Sequence, residues 1–178
     1  MSLLARRLIE IHDALSRAKL AHAFGGAIAL AYCTEEPRGT RDVDVNVFVA
    51  PGRAKEVLGA LPDGMTTTVA DARALEEEGQ ARVWWDDTPI DIFLDIHSFH
   101  EEVARGVRLV PFEARTIPVL NCTALTVFKA LFNRTKDWAD IEEMASAGSL
   151  DLQRAVASVE RMVGSDDPSL SRLASLAD

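Results

Sequence analysis

Residues 24–49 read FGGAIALAYCTEEPRGTRDVDVNVFV, and the reading of this stretch decides the fold. In its last eight residues, Asp42-Val43-Asp44-Val45-Asn46-Val47-Phe48-Val49, valine takes every second position. Side chains alternate across a strand, so the valines pack one way and Asp42, Asp44, Asn46 and Phe48 point the other. Two carboxylates then stand side by side on one face. Neighbouring like charges disfavour joint ionisation. Either the strand lies at a solvated edge where water screens the aspartates, or a hard divalent cation such as Mg²⁺ takes their oxygens.

The residues before the strand bear on that choice. Gly25-Gly26 follows a short apolar piece and precedes Ala27-Ile28-Ala29-Leu30-Ala31-Tyr32, a helix-forming run of small and apolar residues. Glycines at a strand-to-helix junction let the backbone approach a ligand. The first helical N–H groups are then free to meet a phosphate. A glycine pair alone says little, because turns use it freely. The combination is more specific: GG, a helix, then Arg38-x-Thr40-x-Asp42-x-Asp44 on a strand.

On these residues the chain resembles the nucleotidyltransferase superfamily, and in its RxTxDxD form the small prokaryotic branch that includes AbiEii-like toxins and antibiotic nucleotidyltransferases. The resemblance is specific over residues 22–49 and looser to 95. It implies an α/β fold: a small mixed sheet flanked by helices, here with a C-terminal helical extension. The implied activity is Mg²⁺-dependent transfer of NMP from an NTP to an acceptor hydroxyl on tRNA, protein or a small molecule such as an antibiotic. Two metal ions bridged by carboxylates would place the attacking oxygen and neutralise developing charge. The alternative is an inactive nucleotide-binding or partner-binding protein on the same fold, or a toxin component held by an antitoxin partner.

The superfamily pattern implies a third carboxylate on a strand beside the DxD strand. In Ile90-Asp91-Ile92-Phe93-Leu94-Asp95 the aliphatic residues face one way, and Asp91, Phe93 and Asp95 the other. Asp91 lies inside an apolar strand, where a lone carboxylate is costly. Asp95 stands at its end and suits a structural role. The expected metal set is Asp42, Asp44 and Asp91, and the expected nucleotide contacts are Gly25, Gly26, Arg38, Thr40 and Lys129. Lys129 lies in an otherwise apolar helix and either snorkels to water or meets the triphosphate. It belongs to a Lys129, Arg134, Lys136, Asp137, Asp140 pattern resembling related small transferases, whose two aspartates suit pairing with nearby bases.

The rest of the chain sets the frame. Its 178 residues suit one domain or a core with an appendage, and the composition shifts from strand-rich to helix-rich near 120. The expected division is a core over 1–120 and a helical region over 121–178. Residues 81–85 and 90–94 flank a turn at 86–89 and read as a hairpin. Asp71 is the expected cap of a helix to Glu78, and Ser98 with Glu101 matches a capping box. Trp84 and Trp85 face opposite sides of the hairpin and suit core packing, with base stacking as the alternative.

The formal charge of −9 gives no general attraction to nucleic acid or anionic membrane. No apolar run nears the ~20 residues that span a bilayer, and residues 1–19 carry too much charge for a signal peptide. Cys33 and Cys122 lack metal-ligand spacing and fit reduced thiols in a cytoplasmic protein. The four histidines form no ligand motif, and there is no P-loop or nucleophile-elbow motif.

Overall fold

The computed structural model describes residues 1–177. They divide into two compact units. The first comprises Met1–Ile28 and Gly39–Val119, and the second Ala29–Arg38 and Leu120 onward. The second unit thus takes in a segment preceding the DxD strand as well as the C-terminal helices.

The first unit is built on a mixed sheet of seven strands in the order β3-β4-β5-β2-β1-β7-β6. In chain order these are β1 (His22–Phe24), β2 (Val43–Val47), β3 (Met65–Thr66), β4 (Gln80–Trp85), β5 (Thr88–Leu94), β6 (Arg108–Phe112) and β7 (Arg115–Val119). The helices α1 (Leu3–Arg17), α3 (Ala54–Ala60), α4 (Val69–Glu78) and α5 (Phe99–Arg105) belong to the same unit; α2 (Gly26–Thr34) begins there.

The alternation of β2 sets the core. Val43, Val45 and Val47 lie opposite Ile90, Ile92 and Leu94 of parallel β5, and all six are essentially fully buried. Leu8, Ile11 and Leu15 of α1 add the helical stripe expected from their spacing. Each such side chain removed from water contributes roughly 1.5–3 kcal/mol, so this apolar face fixes which side of β2 and β5 carries the aspartates.

Three local expectations are corrected. The hairpin loop has two residues, not four: Trp85 pairs with Thr88, and Asp86 takes the left-handed conformation that a two-residue turn demands. Buried Arg7 holds this turn, bonding Asp86 (2.5 Å) and Thr88 and lying over the Trp85 ring. At α4 the cap is Thr68 rather than Asp71. The two form a reciprocal capping box that draws Val69 and Ala70 into the helix and leaves β3 only two residues long. At α5 the Ser98 side chain makes no cap bond; His97 Nδ1 accepts the Phe99 N–H instead.

The second unit gathers α6 (Cys122–Phe132), α7 (Thr135–Ser146), α8 (Leu152–Val163) and α9 (Pro168–Ala174) with the segment 29–38. Asn121 caps α6 by accepting the Ala124 N–H, flanked by buried Leu120 and Leu125, as a hydrophobic staple requires. The expectation of two free thiols is overturned here. Cys33 and Cys122 are joined in a disulfide, although 89 positions separate them in sequence. No helix is long and apolar enough to cross a membrane among the described residues.

Candidate active site

Three strands bring four charged side chains into the same neighbourhood. Asp44 of β2 lies directly opposite Asp91 of β5 in parallel register, and Asp91 lies directly opposite Arg82 of antiparallel β4. Opposed residues in a sheet project to the same side, so Asp44, Asp91 and Arg82 form one row across it. Neighbouring strands lie about 4.8 Å apart. Asp42 stands just ahead of β2, and its charge, like that of Asp44, acts on Arg82.

Each carboxylate has its own surroundings. Thr40 Oγ1 donates to Asp42 Oδ1 at 2.5 Å, which ties the loop ahead of β2 to the first aspartate. Asp44 meets the glycine turn. The Gly25 N–H donates to the Asp44 carbonyl at 2.9 Å, and Gly26 adopts a positive φ of 50°. A Cβ on Gly26 would overlap the Asp44 carboxylate at Oδ2. The second glycine is therefore required twice, by its backbone conformation and by the side chain beside it. Gly26 is also the first residue of α2, so the Asp44 carboxylate lies near the positive end of that helix.

Asp91 is bound by Arg82 in a two-pronged pair. Arg82 Nε donates to Oδ1 at 2.7 Å and Nη2 to Oδ2 at 2.6 Å. The Asp91 hydrogen bond, together with the charges of Asp91, Asp42 and Asp44, outweighs burial and holds the Arg82 guanidinium above its ordinary pKa. Asp95 lies beyond the end of β5. Its N–H bonds the Val49 carbonyl at 3.0 Å and its carboxylate stands 3.7 Å from His100 Nδ1.

Hard oxygen donors on adjacent strands are the right chemistry for a divalent cation. A cradle with no room for a Cβ beside Asp44 fits a site where backbone and carboxylate approach one point. Asp42 and Asp44 thus fit a metal. Asp91 fits by type and position, but both its oxygens are engaged by Arg82. Among the described residues, no three His, Cys, Asp or Glu side chains already converge as a metal-binding group.

The sequence-predicted cations Arg38 and Lys129 meet in the second unit. Lys129 is buried on α6 and donates to Asp140 Oδ2 at 2.5 Å, with Asp137 Oδ1 at 3.6 Å. Arg38 also reaches Asp140, through a hydrogen bond to Oδ2 at 2.9 Å and an ion pair with Oδ1 at 2.6 Å. Burial works against ionisation of Asp137. The Arg134 hydrogen bond and the Lys129 charge outweigh it and hold its carboxyl below the usual range. These pairs account for the burial of Lys129 without a nucleotide.

Sequence reasoning missed Arg82. Trp84, two residues along β4 and so on the same face, is half exposed rather than part of the core.

Two solved structures of ANT(2'')-Ia share this architecture. One, described as an antibiotic-resistance factor with substrate-regulated conformation dynamics, matches with a TM-score of 0.60 and 12% identity over 98% of this chain and 95% of that one. The other, in complex with adenylyl-2''-tobramycin, matches with a TM-score of 0.63 and 13% identity over 99% of this chain and 100% of that one. The chain has the nucleotidyltransferase fold. At such identities the likeness concerns the fold alone. No protein-family model matches the sequence, and a search of curated proteins gives no significant match. In this nucleotidyltransferase fold the row Asp44–Asp91–Arg82 and its neighbour Asp42 form the candidate site.

Proposed function

We propose that the chain is a Mg²⁺-dependent nucleotidyltransferase that moves NMP from an NTP to an acceptor hydroxyl, with pyrophosphate as the leaving group. The observation that carries this reading is the parallel register of Asp44 with Asp91, with Asp42 two residues away and the Gly25-Gly26 turn against Asp44. A surface aspartate pair needs neither a third carboxylate in register nor a helix start packed on it.

Asp42 and Asp44 would hold the metal, with Asp91 completing the set. The bound cations, two in this reading, supply charge neutralisation at the triphosphate. Thr40 fixes the Asp42 carboxylate through its hydroxyl. The N–H groups at the start of α2 would hold phosphate oxygens, as a helix N-terminus does. Asp91 accepts the proton of the acceptor hydroxyl at one carboxylate oxygen once Arg82 has released it. The acceptor is a small molecule, tRNA or protein; ANT(2'')-Ia, with its adenylyl-tobramycin complex, favours testing a small antibiotic first.

A second reading keeps the nucleotide and drops the turnover. It is favoured by the double engagement of Asp91 by Arg82, which a pure binding protein has no reason to break.

The test offers four α-labelled NTPs with Mg²⁺ to a panel of aminoglycosides, lincosamides, tRNA and protein. Label in one acceptor, lost in Asp44→Asn, is the expected result. No label in any acceptor, while Mg²⁺·NTP still raises the melting temperature, would favour the binding protein. Neither label nor stabilisation would end both readings.

A further inference from the structure

Arg82 occupies an unusual place for a surface arginine. It stands third in the row after Asp44 and Asp91, with its fork on both Asp91 oxygens. Asp91 is the one carboxylate of β5 and lies directly opposite Arg82, and it is also the residue that faces Asp44 of the DxD strand. Asp42, Asp44 and Asp91 bring three negative charges into the same neighbourhood, and like charges repel one another. A guanidinium pairs bidentately with a carboxylate and relieves that repulsion as a metal would. A divalent cation that claimed Asp91 would need an oxygen that Arg82 now holds.

We propose that Arg82 is the resident counter-ion of Asp91, and that metal fills the third position of the site only by exchange with it. The proposal rests on the metal-site reading above and adds a positioning residue to it. The exposures suit the exchange. The Arg82 side chain is 52% exposed and that of Asp91 18%, so the arginine can swing into water while the carboxylate stays. Arg82 then sets a threshold: a cation arriving alone must displace the arginine to reach Asp91, whereas a cation arriving with a triphosphate brings additional binding energy to do so. It also keeps the acidic face paired when no metal is bound.

The measurement is Mn²⁺ binding to the full-length protein without nucleotide, followed by electron paramagnetic resonance at low ionic strength. Arg82→Gln should bind Mn²⁺ about tenfold more tightly than the wild type, a charge-assisted pair discounted for exposure and converted to affinity. Arg82→Lys, which keeps the charge but loses the fork, should recover only part of that gain. In an Asp91→Asn background the gain should vanish, because Arg82 acts through Asp91.

Unchanged Mn²⁺ affinity in Arg82→Gln would overturn the proposal. So would a gain that persists undiminished with Asp91→Asn, which would reduce Arg82 to a general charge effect. The two readings fail separately. Tighter Mn²⁺ binding without transfer to any acceptor sustains the counter-ion and removes the enzyme; transfer with unaltered Mn²⁺ affinity does the reverse.

Discussion

Asp44 and Asp91 stand opposite each other on parallel strands that are not consecutive in the chain. The shared apolar ladder of Val43–Ile90, Val45–Ile92 and Val47–Leu94 fixes that pairing. A slip of one residue would turn the whole ladder to the other face. The carboxylates are thus held in register by the core behind them. On the transferase reading proposed above, Asp91→Asn keeps the shape and removes the proton acceptor, so turnover should fall by at least about two orders of magnitude. Stabilisation by Mg²⁺·NTP should weaken less, since Asp42, Asp44 and the glycine turn remain. Asp95→Asn, beyond the end of the strand, is the control. Equal loss in both variants would remove Asp91 from its role.

Gly26 and Asp44 form a coupled pair. Gly26→Ala adds a methyl group where the Asp44 carboxylate lies and forces a non-glycine residue to a positive φ. The expected cost is about 2–3 kcal/mol, read by urea denaturation. In an Asp44→Ala background the clash with the carboxylate disappears, leaving the tight approach to the residue 44 Cβ at 3.2 Å and about 1 kcal/mol of backbone cost. Additive losses would mean that the two residues do not share the space.

Lys129 is a buried charge whose partners are themselves buried. Lys129→Met leaves Asp140 with Arg38 alone and should cost about 3 kcal/mol, the low end for breaking a buried pair. Adding Asp140→Asn should return part of that loss. A loss below about 1 kcal/mol, within the range of an exposed pair, would contradict the arrangement.

Stability should decline as pH falls through the histidine range. Burial lowers the pKa of His12, His22 and His100 below the ordinary 6.5. His12 Nδ1 and His22 Nε2 lie 2.9 Å apart, a hydrogen bond that needs one ring neutral. The unfolded chain then binds more protons than the native one below pH 6.5, so the stabilisation is full above that value and is lost on descent to the folded pKa values. The slope is at most ~1.4 kcal/mol per pH unit for each histidine. Asp137, held below 3.8, adds a separate loss below about pH 4, with the same sign. Urea midpoints at pH 7.5, 6 and 5 check the first limb; a flat profile would count against it.

What could be read from the sequence was whatever a short period encodes. The alternation in 43–47 and 90–94 placed Asp44 and Asp91 on strands with apolar opposite faces, and the GG-helix-DxD order pointed to the fold. Arg82 was hidden by loop length. A four-residue loop at 86–89 pairs Arg82 with Phe93, whereas the two-residue loop pairs it with Asp91. The signal was present in Asp86-Asp87, since Asp accepts the left-handed conformation that a tight turn needs. The joining of Cys33 to Cys122 had no local signature at all. Nothing in either neighbourhood refers to the other, and only the packing of the helical unit brings them together.

That junction has a topological consequence. Both cysteines belong to the helical unit, yet the chain between them contains β2 to β7 and all three aspartates of the candidate site. The oxidised molecule is a closed ring with two tails, and the N-terminal tail supplies β1, which is inserted between two strands of the ring, β2 and β7. One backbone cut inside the ring opens a loop without releasing a fragment. A protease nick at an exposed turn such as Glu113-Ala114 would therefore leave one band on a non-reducing gel and two on a reducing gel, with Asp42, Asp44 and Asp91 on the same covalent body throughout.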